Sequence, residues 1–339
     1  MSRTKVSLAT LNLYNLNEPG EPIYRDAAGW SQDEYDKKIE WTARNVADLA
    51  ADVWGFQQLW NAQSLERVYT EADLKQTHTL LVPAEHRGSI VCAAAVRSDI
   101  LVGEARWIED FPAEFKLSSV GDDAQTPAIS VEINKFSRPV LHFEVKPRAN
   151  GKRIQVYVCH FKSKRPTEIF IEPWYHRAVH AQHSEAIGAA IATIRRTAEA
   201  TALRIILTQV TKGTDTPVVV LGDLNDGQHS NTLNIVSGQP NYLLGLSTGG
   251  SDTDLYAVGT LQAYRSERDI YYTHVHNKSY ESLDHILVSQ EFYDNSKARV
   301  WAFTGMDIRN DHLNRDEHKE NGTSDHGIVR ATFEYRPVR

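Results

Sequence analysis

Val218-Val219-Val220-Leu221-Gly222-Asp223-Leu224-Asn225-Asp226 carries four aliphatic residues through a glycine into an acid, an amide and a second acid. An uninterrupted apolar run bounded by a turn reads as a strand buried on both faces, the kind found inside α/β sheets. Extended geometry then sends Asp223 and Asn225 to the same side, just past the end of the strand. A carboxylate and an amide share a pocket there. The first can hold a metal ion or a water, and the second can donate to a phosphoryl oxygen. A polar turn after a core strand would explain Gly222-Asp223 but not the pairing.

Working outward, apolar or alternating runs predict further strands at 6–13, 52–58, 89–97, 128–133, 139–145, 153–160, 269–275, 283–288, 299–303 and 327–335. Ser31 and Glu34 form a capping box, and Tyr35, Ile39, Thr42, Val46 and Leu49 recur at helical steps, which predicts a helix ending near Ala50. Asn61 can cap a second helix bearing Leu65, Val68, Tyr69 and Leu74. The stretch 174–209 reads as helical with a break near Gly188, since glycine costs about 1 kcal/mol against alanine inside a helix. Strands alternate with helices and neither a repeat nor a linker intervenes, which favours an α/β fold and one domain over 1–339.

Composition narrows the class without naming a function. A chain of 339 residues, 41 % hydrophobic and 24 % charged, is long enough for a large core and excludes disorder, a collagen-like repeat and a coiled coil. The net charge of -7 excludes nucleic-acid binding through a globally basic surface. A nucleic-acid partner would need a local basic rim, for which Lys162, Lys164 and Arg165 are the candidates; a solvated loop is the plainer reading of the same residues. Cys92 and Cys159 each sit in an apolar run, as buried thiols do, and no zinc-type spacing exists. The first residues lack a leader pattern and no apolar run spans a membrane, so the expected location is cytoplasmic, or secreted if a leader has been removed.

Four more places carry chemistry. Asp284 opens a strand otherwise made for the core, where a carboxylate requires a partner. Ser324-Asp325-His326 precedes the last strand, and Asp284 can supply what His326 needs, a carboxylate that fixes its tautomer. His160 ends a strand with Lys162 two residues on, and Asn12 ends the first strand.

The order Leu11-Asn12, Gln57-Gln58, His160-Phe161-Lys162-Ser163, Gly222-Asp223-Leu224-Asn225, Leu283-Asp284-His285 and Ser324-Asp325-His326 resembles the endonuclease/exonuclease/phosphatase superfamily over nearly the whole chain. The resemblance implies a four-layered α/β sandwich, two packed mixed β-sheets flanked by helices, with the motifs converging at one end. It also implies roles. Asn12 and Asp325 would belong to the metal and water shell, while Asp223 and Asn225 would position the attacking water and the phosphoryl oxygens. Asp284 would orient His326, and His160 would contact the scissile phosphate or the leaving oxygen. The implied cofactor is Mg2+ or Mn2+.

One position departs from the family pattern. Where the family reads Gln-Glu, with the glutamate as principal metal carboxylate, this chain reads Gln57-Gln58. Gln58 would occupy the metal position without a charge. It is either native or an engineered substitution that suppresses turnover, and the intact remainder of the motifs favours the second.

The expected activity is hydrolysis of DNA or RNA phosphodiesters by direct attack of water. His160-Phe161-Lys162-Ser163-Lys164 is similar to the bacterial extracellular-nuclease branch. Trp30, Trp60, Trp174 and Tyr175 could stack on bases, although aromatic residues more often pack. The alternatives are a hydrolase of small phosphate esters or phospholipid headgroups, and a binding protein whose catalysis is lost through Gln58. The lack of an amphipathic basic helix weighs against lipids.

Overall fold

The computed structural model describes residues 3–338 except 25–26, 85–87, 122, 124, 244–247 and 267–271. In chain order come β1 (Lys5–Leu16), α1 (Gln32–Leu49), β2 (Val53–Leu59), α2 (Ala62–Glu71), β3 (His78–Leu81) and β4 (Val91–Arg97). Then follow β5 (Leu101–Asp110), a small hairpin of β6 (Leu117–Ser119) and β7 (Ile129–Val131), β8 (Lys135–Val145) and β9 (Ile154–His160). Helices α3 (Arg177–His180) and α4 (Ser184–Thr211) lead to β10 (Val218–Asp223), α5 (Asn231–Ser237), β11 (Leu255–Ala257) and α6 (Val258–Ala263). A hairpin of β12 (His274–His276) and β13 (Ser279–Glu281) precedes β14 (Asp284–Ser289), β15 (Trp301–Arg309) and β16 (Ile328–Tyr335).

Two six-stranded sheets result, ordered β15-β16-β1-β2-β4-β3 and β11-β14-β10-β9-β8-β5. Both are mixed: β1 runs parallel to β2 and antiparallel to β16, and β10 runs parallel to β9 and antiparallel to β14. Side-chain alternation along β10 explains its apolar character. Val219 and Leu221 face the other sheet and share a core with Val6, Leu8, Val156 and Val158. Val218 and Val220 face outward onto Ala198, Ala202, Leu203 and Leu207 of α4. On the other side Leu11, Trp54 and Phe56 meet Tyr35, Ile39 and Val46 of α1 and Leu65 and Val68 of α2. The layers are therefore helix, sheet, sheet, helix. At Gly55 a Cβ would lie 3.1 Å from Leu221 Cβ, which marks how closely the sheets approach.

Local signals in the sequence act as their chemistry requires. Ser31 Oγ accepts the Glu34 N–H at 3.3 Å while the Glu34 carboxylate accepts the Ser31 N–H at 2.8 Å, closing the capping box. Asn61 caps α2 through the Ser64 N–H at 2.8 Å. Both cysteines are buried and free. No described helix is long and apolar enough to cross a membrane.

Other expectations need correction. The helix expected over 174–209 begins only at Ser184, after the single turn α3, and runs unbroken past Gly188. That glycine serves a close approach, since a Cβ there would lie 2.3 Å from the Thr167 carbonyl oxygen. Strand β8 starts ahead of Pro139, whose missing N–H falls outside the β9 pairing that begins at Leu141. The run expected over 128–133 forms only the hairpin strand β7, outside both main sheets. Of the strand expected over 269–275, positions 269–271 lie outside the described residues.

Candidate active site

Both sheets end in polar residues at the same edge. Register sets Asp223 beside His160 on the parallel neighbour and beside Asp284 on the antiparallel one, so three strand ends deliver three functional groups side by side. Gly222 makes that approach feasible. Its φ of 147° and a would-be Cβ only 2.0 Å from the Cys159 carbonyl oxygen leave room for glycine alone.

From the facing sheet Asn12 reaches across, and its Nδ2 donates to Asp223 Oδ2 at 3.1 Å. The other carboxylate oxygen of Asp223 accepts the Asn225 N–H at 2.9 Å. Asn225, in the left-handed region with φ 54°, turns its own Nδ2 onto the Phe161 carbonyl at 3.0 Å. His326 places Nδ1 2.8 Å from Asp284 Oδ2 and Nε2 3.9 Å from Asp223 Oδ2. His160 Nε2 lies 3.5 Å from the same oxygen. Ser324 ties the last loop to the first strand, donating from Oγ to the Asn12 carbonyl at 2.7 Å and accepting the His326 N–H at 3.1 Å. Asn12, His160, Asp223, Asn225, Asp284 and His326 are all buried.

Burial governs the charges. It pushes His160 well below the usual imidazole range, helped by Arg138, His326 and Lys162. Burial also works against a charged His326, but the carboxylates of Asp284 and Asp223 outweigh it and raise that imidazole. Asp223 is raised by burial and by the Asp284 charge, against the pull of His326. The two imidazoles are thus driven apart: His160 is held neutral and His326 is held as a cation, the separation of acid and base forms that proton-transfer sites use.

The remaining expected residues sit less simply. Asp325 lies beside His326, and its Oδ1 is buried without a partner, as is Oδ1 of Asp284. Gln58 occupies a left-handed position, φ 59°, where β1 and β2 fall out of register, and its Oε1 accepts the Asn15 N–H at 3.1 Å. Lys164 pairs with Glu281 at 2.8 Å and with Asp226 at 3.6 Å, and the exposed Arg165 lies 3.4 Å from Glu168. Lys162 is half-buried, with Nζ 3.2 Å from the Arg165 carbonyl. The expected basic rim is therefore largely matched by acids. Of the expected aromatic platforms, Trp30 is buried, Trp60 and Tyr175 are half-buried, and Trp174 is exposed.

Two sets of residues escaped the sequence reading. On α4, the buried Glu199 accepts the N–H groups of Ser137 and Lys162 at 2.8 and 2.7 Å. One turn earlier the buried Arg196 donates to the Lys162 carbonyl at 3.3 Å and to Asp226 at 3.3 Å. Together they clamp the loop that follows His160. The second is His274, whose ring centroid lies 4.9 Å from that of His326.

Among the described residues, two groups could hold a metal ion, with ligand atoms mutually within 4.8 Å: Asp223, Asp284 and His326, and His274, Asp325 and His326. The unpartnered buried oxygens of Asp284 and Asp325 fit such an ion, because a carboxylate oxygen buried without a donor is costly.

The Endonuclease/Exonuclease/phosphatase family model matches residues 137–326, more than half of the chain. The chain belongs to the endonuclease/exonuclease/phosphatase family. Members of this family are metal-dependent phosphoesterases, and the carboxylate, amide and imidazole edge described above is the part of this member that suits such chemistry. No curated protein matches it. Among solved structures, D. rerio TDP2 in complex with a single-strand DNA product is 14 % identical, with a TM-score of 0.56 over 98 % of this chain and 100 % of that one. The human Nocturnin catalytic domain with bound sulfate is 14 % identical, with a TM-score of 0.55 over 98 % and 96 %. A family protein from Bacteroides thetaiotaomicron is also 14 % identical, with a TM-score of 0.51 over 98 % of each chain. At such identities the likeness concerns the fold.

Proposed function

We propose that this endonuclease/exonuclease/phosphatase protein, acting as one domain over 1–339, is a divalent-metal-dependent phosphodiester hydrolase that cuts nucleic acid by direct attack of water. The observation that carries the reading is the Asp284–His326 pair at 2.8 Å, standing against Asp223. A cationic imidazole so oriented can donate to a phosphoryl or leaving oxygen, and the Asp223 carboxylate, anchored by Asn12 and Asn225, can take a proton from water. His160, held neutral, can contact the phosphate without adding charge. Asn12, Asp325 and Gln58 would hold Mg2+ or Mn2+, which would supply Lewis-acid polarisation of the phosphate.

Direct attack is favoured because no activated nucleophile is available among the described residues of the site. Ser324 is buried with its hydroxyl committed to Asn12 and His326, and burial pushes the Cys159 thiol up. A nucleic-acid substrate is supported by the bound product in the D. rerio TDP2 neighbour and by Lys162 two residues after His160, whereas Lys164 and Arg165 are engaged by Glu281, Asp226 and Glu168.

The test is hydrolysis of plasmid DNA, single-stranded DNA, RNA and a chromogenic phosphodiester, with Mg2+ and with Mn2+, on the protein and on Gln58→Glu. Cleavage of a nucleic acid that stops on chelation is the expected result. Turnover of the chromogenic ester alone would move the substrate to small phosphate esters, and activity undiminished by chelation would overturn the metal-dependent reading.

A further inference from the structure

One imidazole outside the motif-bearing strand ends faces the same edge. His274 opens the β12–β13 hairpin, and its backbone bridges to that of His326, with the Gly327 N–H donating to the Thr273 carbonyl at 2.7 Å. The hairpin is thereby fastened to the catalytic loop itself. A ring nitrogen of His274, a carboxylate oxygen of Asp325 and a ring nitrogen of His326 all lie within 4.8 Å of one another. Ligand atoms that share one first-row ion at about 2.0–2.2 Å sit roughly 3–4.4 Å apart, so small side-chain movements suffice. Both His274 and Asp325 have capacity to spare: among the described residues no hydrogen bond engages the His274 ring, and Asp325 Oδ1 is buried without a partner. His326, in contrast, has its Nδ1 occupied by Asp284.

Charge and donor type point the same way. Gln58 is neutral and its amide oxygen is turned to the Asn15 N–H, so that side chain adds no anionic oxygen to the site. Magnesium depends on anionic oxygens and dehydrates reluctantly, whereas an imidazole ligand suits first-row transition ions such as zinc, iron and nickel better than it suits magnesium. We propose that His274, together with Asp325, directly ligates the divalent ion of this site, and that the nitrogen donor therefore shifts the centre's preference from Mg2+ toward first-row transition ions, for which Mn2+ serves as the probe. This rests on the reading of the site as a metal-dependent phosphoesterase.

The experiment measures binding without substrate. Mn2+ and Mg2+ are titrated calorimetrically into the protein, His274→Ala, His274→Asp and Asp325→Asn, and the Mn2+ complexes are examined by pulsed electron paramagnetic resonance for directly bound nitrogen. His274→Ala should lose about tenfold or more of the Mn2+ affinity, in the range seen when a metal's supporting groups are removed, while Mg2+ affinity changes less than twofold. The nitrogen coupling should weaken or vanish with it. His274→Asp, which exchanges nitrogen for anionic oxygen, should narrow the gap between the ions; it also gives a second readout if the alanine variant folds poorly. Unchanged Mn2+ affinity and an unchanged nitrogen signal in both His274 variants would overturn the assignment. If Asp325→Asn also leaves Mn2+ binding intact, the metal site itself, and not only the role of His274, is wrong.

Discussion

Asp284 and His326 lie on elements of different sheets, one opening β14 and the other just ahead of β16, yet Asp284 Oδ2 and His326 Nδ1 are 2.8 Å apart. The pair joins the two sheets at the end where the functional groups gather. It also leaves Nε2 of the imidazole directed at Asp223, so one contact fixes both the orientation and the charge of His326.

Asp284→Asn should therefore lower kcat by about 10²–10⁴-fold while KM moves little, since removing support from a general acid or base typically costs that much. Shape and volume are nearly conserved. Steady-state kinetics on a phosphodiester substrate, with circular dichroism as the folding control, check this. Unaltered turnover would mean that the carboxylate does not support the imidazole.

Gln58→Glu should raise metal affinity and hydrolysis together. The glutamate can still accept the Asn15 N–H that Gln58 now accepts, so the local backbone need not change. The added charge is what a hard cation lacks at this position. Full engagement of a catalytic metal is worth several kcal/mol of transition-state stabilisation, so the rate gain should exceed about tenfold. Metal titration and hydrolysis measured side by side decide it; equal behaviour of the two forms would show that position 58 is not a ligand.

The site was legible in sequence where a buried strand ends in a polar residue. At Asp223, Asp284 and His160 the alternation of the core breaks off abruptly, and a chain that buries its apolar residues cannot place those side chains anywhere but at the sheet edge. Arg196 and Glu199 gave no such signal, because charged residues three apart on a helix ordinarily face solvent. Only the path of the loop after His160 makes them internal. His274 was equally hidden: it falls within the run expected as a strand over 269–275, and only the backbone bridge to His326 brings it to the site. Gly188 misled for a related reason: helix propensity sees its cost, whereas tertiary contact with Thr167 accounts for its presence.

Glu199→Gln should cost about 1–3 kcal/mol of stability, because both carboxylate oxygens accept backbone N–H groups and an amide would turn an NH2 toward one of them. Releasing the Lys162 N–H should also loosen the loop beside His160. The expected outcome is a lower thermal midpoint with a KM for nucleic acid that rises more than kcat falls. A variant that only melts earlier, with kinetics unchanged, would confine Glu199 to a structural role.

Lys38 gives a prediction about pH. It lies on α1, fully buried, with Nζ donating to the Thr323 carbonyl at 3.0 Å and standing 5.0 Å from the centre of the Trp41 ring. Burial lowers its pKa to about 7, with the Asp325 charge opposing only in part. In the unfolded chain the ammonium titrates at about 10.4. Between those two values the unfolded state holds a proton that the folded state lacks, so stability rises with pH across that window, by at most about 1.4 kcal/mol per unit. Below about pH 7 both states are protonated, and the penalty is constant at its largest. Lys38→Met keeps the length of the side chain and removes the charge; replacing a buried charge with an apolar group is often neutral or stabilising. The variant should therefore be the more stable protein at pH 6–7, by an amount on the order of a few kcal/mol, and the advantage should shrink as pH approaches 10. Urea unfolding of both proteins at several values across that range measures it. A stability difference independent of pH would mean that Asp325 keeps Lys38 charged in the folded protein, and that the ammonium belongs to the electrostatics of the site.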